Sequence, residues 1–469
     1  MPNTLSLLPA CELVVAIPAR TIRRVAEFTL QTGMIVFIFT VKTPASVAAA
    51  TAKMPQAEKR LRERTTLDPQ QARIVIVGAG QAGARAAEAL RAAGHRGPIS
   101  LIGEEEHLPY ERPQLSKAML IDREAVPALI RQAQEWRDLD IDLFISSRVV
   151  AADAQRRAVV LANGQELSFD RLLLATGTRV RRLPELDNGP LPVRYLRGIG
   201  DALALRRELQ PGRRVALVGG GVVGLEVAAA ATGRGCQVTI IEKAESLLPQ
   251  IGSPSLARFL RHLHLSKGAE IICGAVVVRT TSYGLELGDG RSIPVDIALV
   301  GVGVEPVTEL AAQLGLESQH GIRVTPAGAT AAEGIFAAGD VAEQWSRSHE
   351  RWMRVENWAN AQNQAIATAK CMAGIETAYD APPWFWSDQY DANIQVVGNP
   401  AGGHEIVRGD VDAGRFTTIS VRDDEIMGGT TVNAARDMAV LRRLVAARKP
   451  VRKSELENPA FQLKRLLAA

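Results

Sequence analysis

A valine-rich run from Arg214 to Val218 leads directly into Gly219-x-Gly221-x-x-Gly224, a helical pattern follows, and a second apolar run, Val238–Ile241, ends on Glu242. Strand, glycine turn, helix, strand and terminal acid form the unit that cradles a dinucleotide. Gly219 makes the tight turn, Gly221 lets a pyrophosphate approach the backbone, and Gly224 lets the helix pack on the sheet. The helix start then offers free N–H groups and the positive end of its dipole to phosphate. Glu242 suits the two ribose hydroxyls of NAD(H) and repels a 2′-phosphate, although Lys243 beside it softens that exclusion.

An earlier copy precedes it. Arg73–Val77 runs into Gly78-x-Gly80-x-x-Gly83, an alanine-rich helical stretch covers Ala84–Ala93, and Ser100–Gly103 is the second strand. Glu104 follows at the usual ~20-residue spacing for a ribose-binding acid, with Glu105 and Glu106 next to it. The prolines and tyrosine of His107–Lys117 predict a rigid loop. Alternating segments from Leu143 to Phe169 turn at Asn163–Gly164, and a second hairpin region, Ala275–Ile293, turns at Gly288–Gly290. The strand–turn Arg171–Gly177, closing on Ala175–Thr176–Gly177, is echoed by Asp296–Gly303. Two similarly built α/β halves are expected. Beyond them, strands at Ile394–Val397, Arg415–Val421 and Glu425–Asn433 and helices at Arg436–Val445 and Ala460–Leu467 predict a small α+β domain.

At 469 residues the chain has room for two or three cores. Its net charge of +4 is small and does not by itself suggest nucleic acid. The four cysteines lie far apart, with no CxxC or zinc spacing, and a cytoplasmic setting is the default. Residues 1–70 differ in composition from the rest and are read as an extension, disordered or untranslated, with Met54 an alternative start. Met34–Val41 is apolar but far short of the ~20 residues that span a bilayer. Leu8–Cys11 resembles a lipoprotein cleavage site without the leader that such a site needs. No membrane attachment is expected.

Two dinucleotide sites, the Ala–Thr–Gly turn and Gly339–Asp340, together with Leu108–Lys117 and Pro383–Gln389, resemble the FAD-dependent ferredoxin reductases (putidaredoxin reductase-like) of bacterial dioxygenase and monooxygenase systems. The resemblance covers roughly 72–465. It implies two Rossmann-like domains, FAD-binding over 71–190 and 308–385 and NAD-binding over 191–307, and a C-terminal reductase domain over 386–469. It also implies FAD and NADH as cofactors and a two-iron ferredoxin, or a rubredoxin, as electron acceptor, in a monomer or homodimer. Gly78, Gly80, Ala82 and Gly83 would hold the FAD pyrophosphate and Glu104 its ribose. Lys117, Val149, Ala175, Thr176, Gly177, Arg197, Asp340 and Trp358 would complete the FAD site. Gly219, Gly221, Gly224, Glu242 and Gly303 would serve NADH. Pro113–Gln114 stands where the family has two prolines, and Val307 where it has asparagine.

The implied reaction is hydride transfer to flavin followed by single-electron delivery outward. An ion pair between Lys117 and Glu226 is expected beside the flavin, stabilising developing negative charge. Otherwise Glu226 merely complements its helix N-terminus. Asp340 is read as a flavin ligand, with a helix N-cap as the alternative. Trp384 and Trp386 either line the nicotinamide side or fill a core. No cysteine lies between Gly83 and Lys117, so electrons leave for an external acceptor rather than an internal disulfide. His262 and His264 are read as surface or packing residues, and no metal ligand set is apparent. Basic clusters at Arg442–Lys453 and at Arg181 and Arg182 are candidates for steering an acidic partner. A rubredoxin-type reductase, or a redox-sensing flavoprotein resembling apoptosis-inducing factor, is the alternative to a ferredoxin reductase.

Overall fold

The structure, a computed structural model, describes residues 68–316 and 319–467. The readings of 1–53 and of most of 1–70 lie outside the described residues.

The first half is a five-stranded parallel sheet. Its strands, in spatial order, are Ile335–Ala337, Arg171–Leu174, Ile74–Val77, Ile99–Ile102 and Ile141–Phe144. All four residues of Ile74–Val77 are buried, as befits a parallel strand covered on both faces. Helix α1 (Gln81–Ala92) lies on one face. Its small residues Ala84, Ala86 and Ala87 share a core with Ala361, Ala365 and Ala369, which come from a helix far along the chain, Trp358–Met372. Two alanine surfaces let these helices approach closely, so the last part of this half returns beside the first.

The second half repeats the design. Its parallel order is Glu270–Cys273, Gln237–Glu242, Arg214–Val218, Ile297–Val300 and Val193–Arg194. The expected helix is α2 (Val222–Gly233), and α3 (Pro254–Ser266) follows it. Three-stranded antiparallel meanders, 149–168 and 277–294, provide the two predicted hairpin regions.

The C-terminal domain is a five-stranded antiparallel sheet, ordered Trp384–Gln389, Ala392–Gly398, Glu425–Val432, Arg415–Arg422 and His404–Asp410, with α4 (Ala435–Ala447) packed against it. The sheet starts at Trp384, just ahead of the boundary read at 386. His404–Asp410 was not foreseen, because its apolar alternation is broken by charge and glycine. The helix expected over Ala460–Leu467 is a 3-10 turn at Leu463–Leu467, preceded by a short helix at Lys453–Glu457; Pro459 between them prevents a continuous helix. One apolar core joins the second half to this domain, with Phe259 and Phe416 in edge-to-face contact at 5.6 Å. Among the described residues no helix is long and apolar enough to cross a membrane.

Candidate functional site

Both glycine turns are built for close approach. Gly78 has φ +111°, and a Cβ there would sit 2.1 Å from the Ala175 carbonyl oxygen; at Gly83 it would sit 1.8 Å from the Gly78 carbonyl oxygen. In the second copy Gly219 has φ +109°, and its Cβ would lie 2.5 Å from the Gly301 oxygen. The Gly224 Cβ would lie 2.5 Å from the Gly219 oxygen. Those four glycines are demanded by the protein's own backbone. The middle ones are not: nothing lies within 4 Å of a Cβ on Gly80, and the nearest atom to one on Gly221 is 3.8 Å away. Both middle glycines stand at the N-caps of α1 and α2 with no side chain capping the helix. Each helix start is therefore an open cradle of N–H groups that fits a pyrophosphate.

The acids at the strand ends differ. Glu242 accepts the N–H of Gly220 at 2.6 Å and of Ala244 at 2.8 Å, which fixes its carboxylate beside the second cradle. In register, Val218 pairs with Ile241 and Val77 with Ile102. Glu104 thus stands one residue beyond the position equivalent to Glu242, exposed, with Arg148 at 3.7 Å. Its neighbour Glu105 instead accepts the Tyr110 hydroxyl at 2.7 Å and pairs with Arg112 at 2.5 Å. Val149 begins the meander beyond Arg148, partly buried.

Around the first cradle, Ala82 is buried against Gly339, and Gly177 takes φ +65° beside the Arg197 guanidinium. Thr176 donates to the Val307 carbonyl at 2.7 Å, and the Val307 N–H returns to the Gly177 carbonyl at 3.0 Å. Backbone groups thus serve at Val307, where the side chain offers no polar atom. Gly303, at φ +102°, accepts the Arg181 N–H at 3.0 Å. Asp340 faces Arg197 at 3.5 Å. Burial pushes the Asp340 carboxyl up and Arg197 opposes it, while burial lowers Arg197. The N-cap alternative for Asp340 is overturned, since a strand, Ala342–Ser346, follows it. The helix cap is Asn357, which accepts the Asn360 N–H at 2.8 Å. Gln364, inside that helix, receives the Gly339 N–H at 2.8 Å and so sets the Gly–Asp turn.

Lys117 and Glu226 meet at 2.7 Å, the glutamate 5% exposed. The loop after the first cradle and the first turns of α2 are thereby joined. The Ser116 hydroxyl also donates to Glu226, and the Ser387 hydroxyl does so at 2.7 Å. Neither serine was singled out from sequence, though both lie inside the segments that carried the resemblance. Arg112 was missed as well; it donates to the Arg197 carbonyl at 2.6 Å. Trp358 and Trp386 contact edge-on at 5.5 Å, Trp386 stacks on Trp384 at 5.6 Å, and the Arg442 guanidinium covers Trp384 at 4.1 Å. Trp358 donates to Glu111.

Residues 72–365 match the pyridine nucleotide-disulphide oxidoreductase family and 384–467 match the reductase C-terminal domain. The p-cumate 2,3-dioxygenase system ferredoxin–NAD(+) reductase component of Pseudomonas putida is 42% identical over 394 residues, covering 84% of this chain and 98% of its own. The corresponding anthranilate 1,2-dioxygenase component of Burkholderia cepacia is 40% identical over 401 residues, covering 84% and 99%. Among solved structures, that of the covalent putidaredoxin reductase–putidaredoxin complex superposes with TM-score 0.80 at 33% identity, covering 85% of this chain and 98% of that one. The ferredoxin reductase for the CYP199A2 system from Rhodopseudomonas palustris gives 0.80 at 34% identity, covering 84% and 99%.

Proposed function

This chain belongs to the pyridine nucleotide-disulphide oxidoreductase family, and on that footing we propose that it is an FAD-containing NADH:ferredoxin oxidoreductase, passing electrons to a small iron-sulfur ferredoxin that serves an oxygenase. The observation that carries the reading is the buried Lys117–Glu226 pair, which joins the loop of one dinucleotide cradle to the helix of the other. Bound flavin supplies the conversion of a two-electron donor into single-electron delivery.

The chain's own residues do the rest. Gly78, Gly80, Ala82 and Gly83 hold the FAD pyrophosphate, with Glu104, Val149, Ala175–Gly177, Arg197, Asp340 and Trp358 around the remainder. Gly219, Gly221, Gly224 and Gly303 hold NADH, and Glu242 selects it over its 2′-phosphorylated form. Lys117 presents a fixed positive charge where negative charge develops, and Glu226 holds that ammonium in place. The packed rings of Trp358, Trp386 and Trp384 would lead from the flavin site toward Arg442, which with its basic neighbours would steer an acidic partner. A cytoplasmic setting is part of the proposal, supported by the free thiols Cys236, Cys273 and Cys371.

Stopped-flow mixing of the yellow holoprotein with NADH, and then with a two-iron ferredoxin, tests this. Fast bleaching followed by rapid return of the oxidised spectrum is expected. Fast bleaching that no two-iron ferredoxin reverses would move the acceptor elsewhere. Slow bleaching with a persistent long-wavelength band would point to a sensor.

A further inference from the structure

Glu226 is the end of a longer buried chain. An ionised carboxylate only accepts hydrogen bonds, so the single hydrogen of Ser387 is committed to Glu226, at 2.7 Å. Whatever reaches the Ser387 oxygen from the far side must donate, and this is the Gln389 amide nitrogen, at 3.1 Å. The Gln389 oxygen is then turned to His264 Nε2, at 3.0 Å, so that nitrogen carries the imidazole proton. His264 Nδ1 is left with a bare lone pair, and the Tyr390 hydroxyl, 3.2 Å away, donates to it. The charge on Glu226 thus dictates every hydrogen in turn, and all of them point toward it. Ser387 and Gln389 are 1% exposed and His264 0%.

The far end is anchored independently. Tyr390 holds φ +54° at the turn after Trp384–Gln389, a left-handed conformation that costs a non-glycine residue energy. Its ring meets the His264 ring edge-on at 5.2 Å, and the Lys267 ammonium lies 5.5 Å from its centroid. Helix α3, which carries His264, is held at its other end by Glu405 of the C-terminal domain, which accepts the Ser255 hydroxyl at 2.8 Å and that of Ser253. Burial lowers His264 and raises Tyr390, which keeps the imidazole neutral and the phenol protonated, the forms the chain requires.

We propose that His264, Gln389 and Tyr390 are positioning residues for the Lys117–Glu226 pair, acting through Ser387. Aligned donors polarise one another along such a chain. Their sum holds the Glu226 carboxylate toward Lys117 and couples the flavin lysine to the packing of the C-terminal domain on α3. This rests on the reading that Lys117 and Glu226 serve the flavin. It differs from simple satisfaction of buried polar groups in one respect: loss of the chain must be felt at Lys117.

The test uses oxidised holoprotein labelled with ¹⁵N-histidine, three single variants and one double variant. The His264 resonances of the parent should show a protonated Nε2 and a bare Nδ1; the opposite tautomer would overturn the chain's direction. Gln389→Met keeps the side chain's length and removes both of its bonds. It should lower the limiting rate of flavin reduction by NADH about fivefold, the worth of one net hydrogen bond, with the NADH dissociation constant unchanged. Tyr390→Phe keeps the ring, provides the same readouts if Gln389→Met misfolds, and should free the tautomer. In a Lys117→Met background Gln389→Met should have no further effect on the rate. An equal effect in both backgrounds would reduce the chain to a structural role. A Lys117→Met protein that reduces its flavin at the parent rate would instead remove the underlying reading.

Discussion

Replacing Lys117 by Met isolates what the buried ion pair does for the fold and what it does for chemistry. Glu226 is 5% exposed, and the ammonium lies 2.7 Å from it. Removing one partner of a buried pair costs about 3–5 kcal/mol, chiefly by leaving the other charge uncompensated. The low end, about 3 kcal/mol, applies here, because the Ser116 and Ser387 hydroxyls still face the carboxylate and Lys117 is itself 22% exposed. Thermal unfolding of the holoprotein at fixed concentration should therefore fall by several degrees in K117M. In E226Q the carboxylate charge is gone, and adding K117M should then cost about 1 kcal/mol or less. Flavin reduction behaves differently, since no neutral side chain replaces the ammonium. K117M and K117M/E226Q should both reduce flavin slowly, although the double variant recovers most of the stability. If K117M costs as much stability in the E226Q background as alone, the lysine acts by packing and the electrostatic argument is wrong.

The glycines supply a contrast within one motif. Gly83→Ala drives a Cβ into the Gly78 carbonyl and should destabilise the first half outright, whereas Gly221→Ala meets nothing closer than 3.8 Å. G221A should therefore melt like the parent while its NADH dissociation constant, measured by titration, rises at least tenfold. Glu242→Ala removes the carboxylate beside the second cradle, so the NADH-over-NADPH ratio of kcat/KM should shrink by an order of magnitude or so, mostly through NADPH. Burial lowers His264, His95 and His349 alike. For each, the unfolded chain binds the proton more readily. Their contribution to stability is thus fully present above the unfolded value near 6.5 and is lost as pH falls toward the depressed folded values. Unfolding midpoints should drop between pH 7.5 and 5.5, and the drop should be smaller in His264→Gln.

Both dinucleotide units are legible in the sequence because their pattern is local: strand, glycine turn, helix and strand occupy about 30 consecutive residues, although the backbones that crowd Gly78 and Gly219 come from Ala175 and Gly301, far along the chain. Lys117 and Glu226 stand in two separate motifs, and their pairing is expected only from the family resemblance. The 2.7 Å contact that realises this expected pair is a tertiary one, since 108 residues lie between the two in the chain. The same holds for Ser387 and for the choice between the surface and packing readings of His264, which is a buried hydrogen-bonding partner. A histidine on an amphipathic helix looks the same in sequence whether its face meets water or another domain. Only the docking of α3 on the C-terminal sheet decides that its ring is shut from solvent and answers to Gln389 and Tyr390. Periodicity encodes which face of an element is apolar, but not which partner covers it or what polar atoms that partner brings.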